Sequence, residues 1–227
     1  MGGAEVAIGP TKVPVWPKES KVYHLDPMLC VVSFPDNDLI RSVAEKRLLE
    51  AETQFRDAEG DRWVGAGGAK IRDIGSWPCP AMNLLHMRAK MAFKSLTGAQ
   101  DAHIDDCWAN VSRKGEYLGP HSHRRTEVSA VYHLVPPEKE DREVYNGALG
   151  ISDPRVARCC PTKPGIMTSQ IYPPLDPGTL VLFPSFVVHY VTPHQGDGYR
   201  ISVSWNISRE EIPGDVADES LMERSPT

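Results

Sequence analysis

Apolar residues recur with a helical period in two segments of the first half of the chain. In residues 38–56 they return every three or four positions behind the polar run at residues 35–38, a pattern that predicts a helix. Residues 82–96 repeat this pattern, and Gly98 follows where a helix can end on a left-handed residue. We therefore expect two helices, joined by a polar, glycine-rich loop at residues 57–70.

From residue 106 onward the helical period gives way to short β-rich runs separated by glycine and proline. An earlier apolar run, residues 29–34, has the same character, whereas the proline-containing residues 1–20 predict an extended arm. Many short strands after two helices favour an antiparallel barrel or sandwich with the helices on one face. The later runs occupy residues 107–112, 127–135, 148–152, 179–183, 186–192 and 200–207.

Composition narrows the class of protein. With 227 residues, of which 41% are hydrophobic, the chain predicts one domain with a sizeable core. The net charge of −5 offers no basic surface for nucleic acid, and no apolar window is long enough to span a membrane. The five cysteines are an odd number without a CxxC pair, and the N-terminus lacks the pattern of a secretory signal. We therefore expect a soluble, cytoplasmic protein with reduced thiols.

The candidate chemistry lies in the β-rich half. His121 and His123, two residues apart on a strand, would share one face about 6–7 Å apart. His189 is the single imidazole of an apolar run, where its ring nitrogens need polar partners or a metal. Arg200 follows eleven residues later and would place a fixed positive charge nearby, with Ser202 on the same strand face. Together these residues predict a metal site beside a site for an acidic compound.

These positions belong to a longer set of motifs through which the chain resembles the iron(II)- and 2-oxoglutarate-dependent oxygenases. The resemblance covers roughly residues 106–207 and is closest to a small bacterial branch near the prolyl-hydroxylase type. The spacing from His189 to Arg200, and the Arg-x-Ser pair that Arg200 begins, are its most specific parts. The matching motifs are Trp108-x-Asn110, His121-x-His123, Ser129-Ala130-Val131-Tyr132, Gly147-x-Leu149-x-Ile151-x-Asp153-Pro154, residues 178–185, His189 and residues 200–206.

The resemblance implies a fold and a domain organisation. The family's fold is a double-stranded β-helix, or jelly-roll barrel, so we expect a mainly β protein with supporting N-terminal helices. Residues 1–105 would form the arm and support helices, residues 106–207 the catalytic core, and residues 208–227 an acidic tail of the same single domain. The proline-rich residues 153–177 lie between the second and third histidines and are either a lid over the site or a long surface connection.

The resemblance also implies roles for individual residues. His121 and His189 look like the two family histidines that bind iron. Arg200 looks like the residue that pairs with the distal carboxylate of 2-oxoglutarate, a bidentate task that suits a guanidinium. His133 stands where related enzymes often have a tyrosine that touches the co-substrate. The candidates for binding 2-oxoglutarate are therefore Arg200, Ser202, His133 and Asn110.

His123 departs from the family's usual triad of two histidines and one carboxylate, because it stands where the carboxylate is expected. Three neutral imidazoles would leave the iron one unit more positive than the usual triad does, which alters its redox behaviour and affinity. Two alternatives stay open: Glu127 as a rival or additional ligand, and His123 beside the metal with water completing the site. The expected metal ligands are His121, His123 and His189.

The predicted function is that of a non-haem iron(II)- and 2-oxoglutarate-dependent dioxygenase. It would use molecular oxygen to oxidise, by default to hydroxylate, a C–H bond of a small metabolite, amino acid or peptide. The second hypothesis is a cupin-type dioxygenase or isomerase that does not use 2-oxoglutarate, and the third is a non-catalytic metal- or ligand-binding barrel. The chain resembles the cupin motifs through Gly115, His121, His123, Glu127 and His189.

Overall fold

The structure, a computed structural model, describes residues 4–25, 29–59, 67–137, 145–152 and 170–210. The described residues form the helices α1 (Asn37–Glu59) and α2 (Pro80–Thr97), with a short 3-10 turn at Ile74–Ser76 before α2. The strands are β1 (Glu5–Ile8), β2 (Thr11–Pro14), β3 (Lys21–Leu25), β4 (Leu29–Ser33), β5 (Ala69–Ile71), β6 (His103–Ser112), β7 (Leu118–His121), β8 (Val128–Val135), β9 (Leu149–Ser152), β10 (Gln170–Ile171), β11 (Thr179–Pro184), β12 (His189–Val191) and β13 (Arg200–Ser208).

Two antiparallel sheets carry the fold. Within the described part of the chain, the main sheet has the strand order β3-β4-β11-β8-β13-β6-β5, and the smaller sheet has the order β10-β9-β12-β7. Apolar side chains from both sheets form a small core between them, including Val131, Val181 and Phe183 of the main sheet and Leu149 and Ile151 of the smaller one. The larger core lies on the opposite face of the main sheet, where the two helices pack.

The alternation of residues along β13 explains this two-sided arrangement. Its odd-numbered apolar residues from Ile201 onward belong to the core under the helices, while Arg200, Ser202 and Ser204 line a cavity on the other face. Successive side chains of a strand point to opposite faces, so one strand serves both regions. The polar face of the main sheet is therefore directed toward the smaller sheet, where the candidate residues lie.

The N-terminal segment is a hairpin rather than the expected extended arm. Strands β1 and β2 pair in antiparallel fashion, and Ile8 and Val13 are buried in the larger core. Arg88 of α2 holds the end of this hairpin: its guanidinium donates to the backbone oxygens of Pro14 and Val15 and to both carboxylate oxygens of Asp36. The prolines mark the ends of the hairpin strands and do not prevent their pairing.

A cluster of charged side chains joins α1 to the connection between β6 and β7. The buried Glu52 accepts from Arg56 Nε and from Arg113 Nε, both at 2.8 Å. Arg56 also donates to the carboxylate of Glu116 at 2.8 and 3.0 Å. Because Glu116 lies two residues before β7, this cluster fixes the path of the chain into the strand that ends at His121.

Most predicted elements are confirmed, and the differences fall at their ends. Both helices form, but α1 runs to Glu59 and β5 begins at Ala69, so the predicted loop at 57–70 is too long. The strand predicted at 186–192 begins only at His189, and the strand expected to carry both His121 and His123 is β7, which ends at His121. Residues 153–169 and 211–227 lie outside the described residues, and with them most of the candidate lid and the acidic tail.

Candidate active site

Two of the predicted metal ligands lie on neighbouring strands of the smaller sheet. His121 is the last residue of β7 and His189 is the first residue of β12, and the antiparallel register places them directly opposite each other. Their ring centroids are 4.2 Å apart. The ring of Phe183, from the facing sheet, packs 4.7 Å from the ring of His189. Strand register and apolar packing thus fix this pair of imidazoles.

His123 reaches the same place from beyond the strand. The expectation that it shares a strand with His121 is wrong, because β7 ends at His121. The backbone N–H of His123 instead donates to the carbonyl oxygen of Ser185 at 2.9 Å. Its ring centroid lies 5.1 Å from those of both His121 and His189. One ring nitrogen from each of the three histidines lies within 4.8 Å of the others, so a single metal ion could be shared by all three.

Backbone carbonyls orient two of the three rings. The Nδ1 atom of His121 lies 2.8 Å from the oxygen of Gly119, and the Nδ1 atom of His189 lies 3.0 Å from the oxygen of Val187. A carbonyl oxygen can only accept, so each Nδ1 carries the proton and donates it. Each Nε2 then keeps its lone pair, which is the arrangement that a metal-binding histidine requires.

Burial favours the neutral, metal-binding form of His123 and His189. It lowers the pKa of His189 to about 4, and the neighbouring rings of His121 and His123 act in the same direction. The pKa of His123 is also lowered to about 4, mainly by burial and further by the proximity of His121 and Lys70. A donor set of three imidazoles suits iron and other borderline divalent metals.

Glu127 does not belong to this cluster. Its carboxylate accepts from the backbone N–H of Arg209 at 2.9 Å and from Arg209 Nε at 3.0 Å. Among the described residues, the group of side chains close enough to share a metal consists of the three histidines alone. The structure therefore gives no support to the alternative that Glu127 is a metal ligand.

Arg200 carries a buried guanidinium whose donors are only partly used. The residue is 2% exposed, and its Nη1 donates to Ser202 Oγ at 3.1 Å. Its Nε and Nη2 have no hydrogen-bond partner among the residues that the structure describes. Burial lowers the pKa of Arg200 to about 10, so it is still a cation at neutral pH. A buried cation with two open donors requires an anion, and a carboxylate can accept from both donors at once.

His133 lies beside this guanidinium. It is fully buried on β8, directly opposite Ser202 of β13, and neither ring nitrogen has a partner within the described chain. Burial lowers its pKa to about 3, with the charge of Arg200 acting in the same direction. Two neighbouring residues with unsatisfied buried polar atoms point to a shared ligand rather than to a packing fault.

One cavity connects the two parts of the site. Asn110 lies directly opposite Ser202 across β6 and β13, and both face the cavity. Of the predicted site residues in the described part of the chain, His133 alone is not part of the cavity wall. It lies directly opposite Ser202, which is. The predicted residues that line the cavity are Asn110, His121, His123, His189, Arg200 and Ser202.

Sequence reasoning missed other residues of the cavity wall. Trp108 and Ser112 lie on β6 at two residues' distance from Asn110, and Ser204 lies at the same distance from Ser202 on β13. The signal was present in the sequence, because residues two apart on a strand share a face. Trp108 belongs to the motif Trp108-x-Asn110, for which the resemblance implied no role at Trp108. Its ring centroid lies 5.5 Å from that of His123.

Comparison with known proteins points to one family. Residues 106–206 match the family model described as "Putative 2OG-Fe(II) oxygenase". Through this segment the chain is similar to the 2OG-Fe(II) oxygenases. The matched segment contains every candidate site residue, from Asn110 to Ser202. The match and the histidine cluster together indicate a non-haem enzyme that uses iron(II) and 2-oxoglutarate, as the resemblance implied. A search of curated proteins found no match.

Solved structures confirm the jelly-roll fold of this oxygenase. AviO1 from Streptomyces viridochromogenes Tue57 is 15% identical with a TM-score of 0.56, over 84% of this chain and 90% of that one. The non-heme alpha ketoglutarate dependent epimerase SnoN from nogalamycin biosynthesis is 19% identical with a TM-score of 0.54, over 83% and 87%. A Pseudomonas putida prolyl-4-hydroxylase is 22% identical with a TM-score of 0.50, over 80% and 93%. No helix in the described part of the oxygenase is long and apolar enough to cross a membrane.

Proposed function

We propose that the chain oxidises a C–H bond of a small metabolite, amino acid or peptide, with hydroxylation as the default outcome. One observation carries this proposal: the cavity that holds three convergent histidines also holds the buried Arg200, whose Nε and Nη2 have no partner among the described residues. A metal ligand set and a cation with open donors are the two fixed groups that 2-oxoglutarate needs at its two ends.

His121, His123 and His189 would hold the iron through one ring nitrogen each. The carbonyl oxygens of Gly119 and Val187 fix the proton on Nδ1 of His121 and His189, which supports ligation through Nε2. When bound, iron(II) supplies the chemistry of the class: molecular oxygen is consumed, 2-oxoglutarate becomes succinate and carbon dioxide, and a substrate C–H bond is oxidised.

Arg200 would hold the distal carboxylate of 2-oxoglutarate. Its Nε and Nη2 form a fork that can donate two parallel hydrogen bonds, and Ser202 already accepts from Nη1, which orients the guanidinium. His133, neutral because of its burial, has one N–H to donate near the same carboxylate. Asn110 would contact the co-substrate from the adjacent strand β6.

The chemical outcome is open to more than hydroxylation. The names of two proteins with a similar fold, SnoN and SnoK, describe an epimerase and a carbocyclase, and a third describes a prolyl-4-hydroxylase. The same protein groups that position a C–H bond for hydroxylation could position it for desaturation or ring formation. Hydroxylation is therefore the first outcome to assay.

The cupin hypothesis loses its main support. It required Glu127 as a fourth ligand, and this carboxylate instead pairs with Arg209. It also gives no role to a buried Arg200 with open donors. A metal-dependent reaction without 2-oxoglutarate would leave that cation uncompensated, which is costly in a buried position.

The test is an assay of succinate formation. The protein, purified anaerobically with iron(II), is given 2-oxoglutarate and oxygen, and succinate is measured. We expect succinate from the wild type and a loss of most of it in His189→Ala and Arg200→Ala. The matched controls are His103→Ala and Arg72→Ala, which change residues exposed outside the cavity. Absence of succinate from the iron-loaded wild type, with oxygen uptake on a substrate panel lacking 2-oxoglutarate, would support the cupin reaction instead.

A further inference from the structure

Lys70 is a cation at the edge of the site, and neither metal binding nor 2-oxoglutarate binding requires it. It lies on β5, the edge strand of the main sheet, directly opposite Asn110 of β6. Residues opposite each other on antiparallel strands share a face of the sheet. Because Asn110 lines the cavity, Lys70 stands on the cavity side of the main sheet, at its edge strand.

The ammonium of Lys70 lies on an aromatic ring that borders the metal site. Its Nζ is 4.1 Å from the centroid of the Trp108 ring, and that ring lies 5.5 Å, between centroids, from the ring of His123. Trp108 is itself 6% exposed and forms part of the cavity wall. The position of the cation is thus fixed relative to the candidate metal ligands by a rigid indole.

Lys70 has no carboxylate partner within ion-pair distance in the described part of the chain. The nearest acidic influence on it is Asp106, and that carboxylate lies 3.8 Å from Arg72. Lys70 is half-buried, and burial, followed by the charge of Arg72, lowers its pKa. The face of an indole occupies few of the three N–H donors of an ammonium. A single positive charge with free donors is therefore available beside the cavity.

We propose that Lys70 and Trp108 form a binding site for a carboxylate of the substrate, so that the oxygenase acts on a carboxylic acid. This proposal rests on the proposed function. The anion is distinct from 2-oxoglutarate, whose distal carboxylate is assigned to Arg200, on a strand that β6 separates from Lys70. The single positive charge of Lys70 matches one carboxylate. The indole of Trp108 would pack against the carbon skeleton next to that carboxylate.

The geometry also indicates how this site would act. A carboxylate on Lys70 would place the adjoining part of the substrate over Trp108 and beside His123, and thus near the three histidines. Fixing one end of a substrate restricts which of its carbons can reach the reacting centre. Lys70 would therefore contribute to the choice of substrate and of the carbon that is oxidised.

Fluorescence of Trp108 offers a direct test. The protein is held anaerobically with iron(II) and saturating 2-oxoglutarate, which fills the Arg200 site. It is then titrated with acetate, benzoate and the N-acetyl amino acids, each paired with its carboxamide. The signal of Trp108, one of five tryptophans, is isolated by subtracting the same titration of Trp108→Phe. We expect at least one acid to bind about tenfold or more tightly than its amide, because a charge-assisted hydrogen bond contributes that much.

Variants of Lys70 separate a binding site from a packing contact. Lys70→Met keeps the apolar stem over Trp108 and should abolish the preference for the acid, whereas Lys70→Arg should keep most of it. Lys90→Met, a change of a half-buried lysine on α2 on the far side of the main sheet, should behave as the wild type. No acid bound more tightly than its amide, or an undiminished preference in Lys70→Met, overturns the proposal.

The two proposals can fail separately. Succinate formed from 2-oxoglutarate by a wild type that shows no Lys70-dependent preference for carboxylates overturns only the substrate site. A Lys70-dependent preference in a protein that forms no succinate overturns only the oxygenase reaction and leaves a carboxylate site.

Discussion

His121 and His189 lie directly opposite each other on adjacent antiparallel strands, with ring centroids 4.2 Å apart. Their backbones are joined by strand register, so the two imidazoles are held together before any metal binds. His123 lies beyond the end of β7, where its backbone N–H donates to the carbonyl oxygen of Ser185 and its ring packs near Trp108. The candidate metal site therefore combines a pair fixed by strand register with a third candidate ligand that lies outside the strands.

The contribution of that third ligand can be measured. His123→Ala should weaken iron(II) binding by about 100-fold or more, because it removes a whole ligand and even partners of ligands contribute about 10- to 100-fold. His123→Asp, which restores the family's usual carboxylate, should bind iron more tightly than His123→Ala. Competition with a coloured chelator measures both affinities, and His103→Ala, an exposed histidine, is the control. Wild-type affinity in His123→Ala would show that water, not this histidine, completes the site.

If Arg200 binds 2-oxoglutarate as proposed, the protein's stability should depend on this compound. In the iron-loaded wild type, 2-oxoglutarate at 100 times its Kd should add about 2.7 kcal/mol to the free energy of unfolding. Arg200→Met should lose most of this gain. Without 2-oxoglutarate, Arg200→Met should unfold at the wild-type temperature or above it, because it removes a buried charge with unpaired donors. Thermal unfolding with and without 2-oxoglutarate checks both statements, with Arg72→Met as control; an equal gain in Arg200→Met would contradict the assignment.

His133 should make stability decline in acid. The pKa of His133 is lowered by burial to about 3 in the folded protein, against 6.5 as the ordinary value. Below pH 6.5 the unfolded chain therefore binds a proton that the folded protein refuses, so stability falls as the pH falls toward 3. The contribution of His133 to the change in the free energy of unfolding approaches about 1.4 kcal/mol per pH unit. His133→Gln cannot titrate, so its free energy of unfolding, measured with urea, should decline less steeply between pH 6 and 4. An unchanged decline would argue against a buried, neutral imidazole at His133.

The buried ion pair between Arg88 and Asp36 should be a major support of the N-terminal hairpin. Asp36→Asn leaves the 1%-exposed Arg88 side chain without its charged partner. The expected loss is about 3 kcal/mol in the free energy of unfolding, measured with urea. Asp38→Asn, two residues away at the start of α1, is the matched control and should change stability by less than about 1 kcal/mol. Equal effects of the two changes would indicate that the pair contributes little.

The sequence predicted those features that depend on local pattern or on motif spacing. The helices followed from apolar periodicity, and Gly98 ends α2 in the left-handed conformation expected of it. His189, Arg200 and Ser202 were placed on strands, and the structure directs them into one cavity. These predictions succeeded because neighbours two residues apart on a strand share a face, whatever the sheet around them.

Long-range pairing was beyond sequence reasoning. Glu127 was a plausible ligand because it lies four residues from His123, yet its carboxylate is taken by Arg209, 82 residues later. His123 was expected on a strand, and it owes its place to Ser185 on another connection. Lys70 was assigned to a loop, although the pairing of β5 with β6 brings it beside Asn110. Each depends on which strands become neighbours, which is settled by packing of the whole chain.

The alternation along β13 has a consequence for how such an enzyme can diversify. Its apolar residues, such as Val203 and Ile207, hold the sheet to the helices, while Ser202 and Ser204 face the cavity. The residues that maintain the fold and those that meet small molecules are thus interleaved but point to opposite faces of one strand. Substitutions at the cavity-facing positions can change what is bound without disturbing the packing under the helices. Residues on the two faces of β13 can therefore be substituted independently. This allows one scaffold to acquire new substrates at little cost in stability.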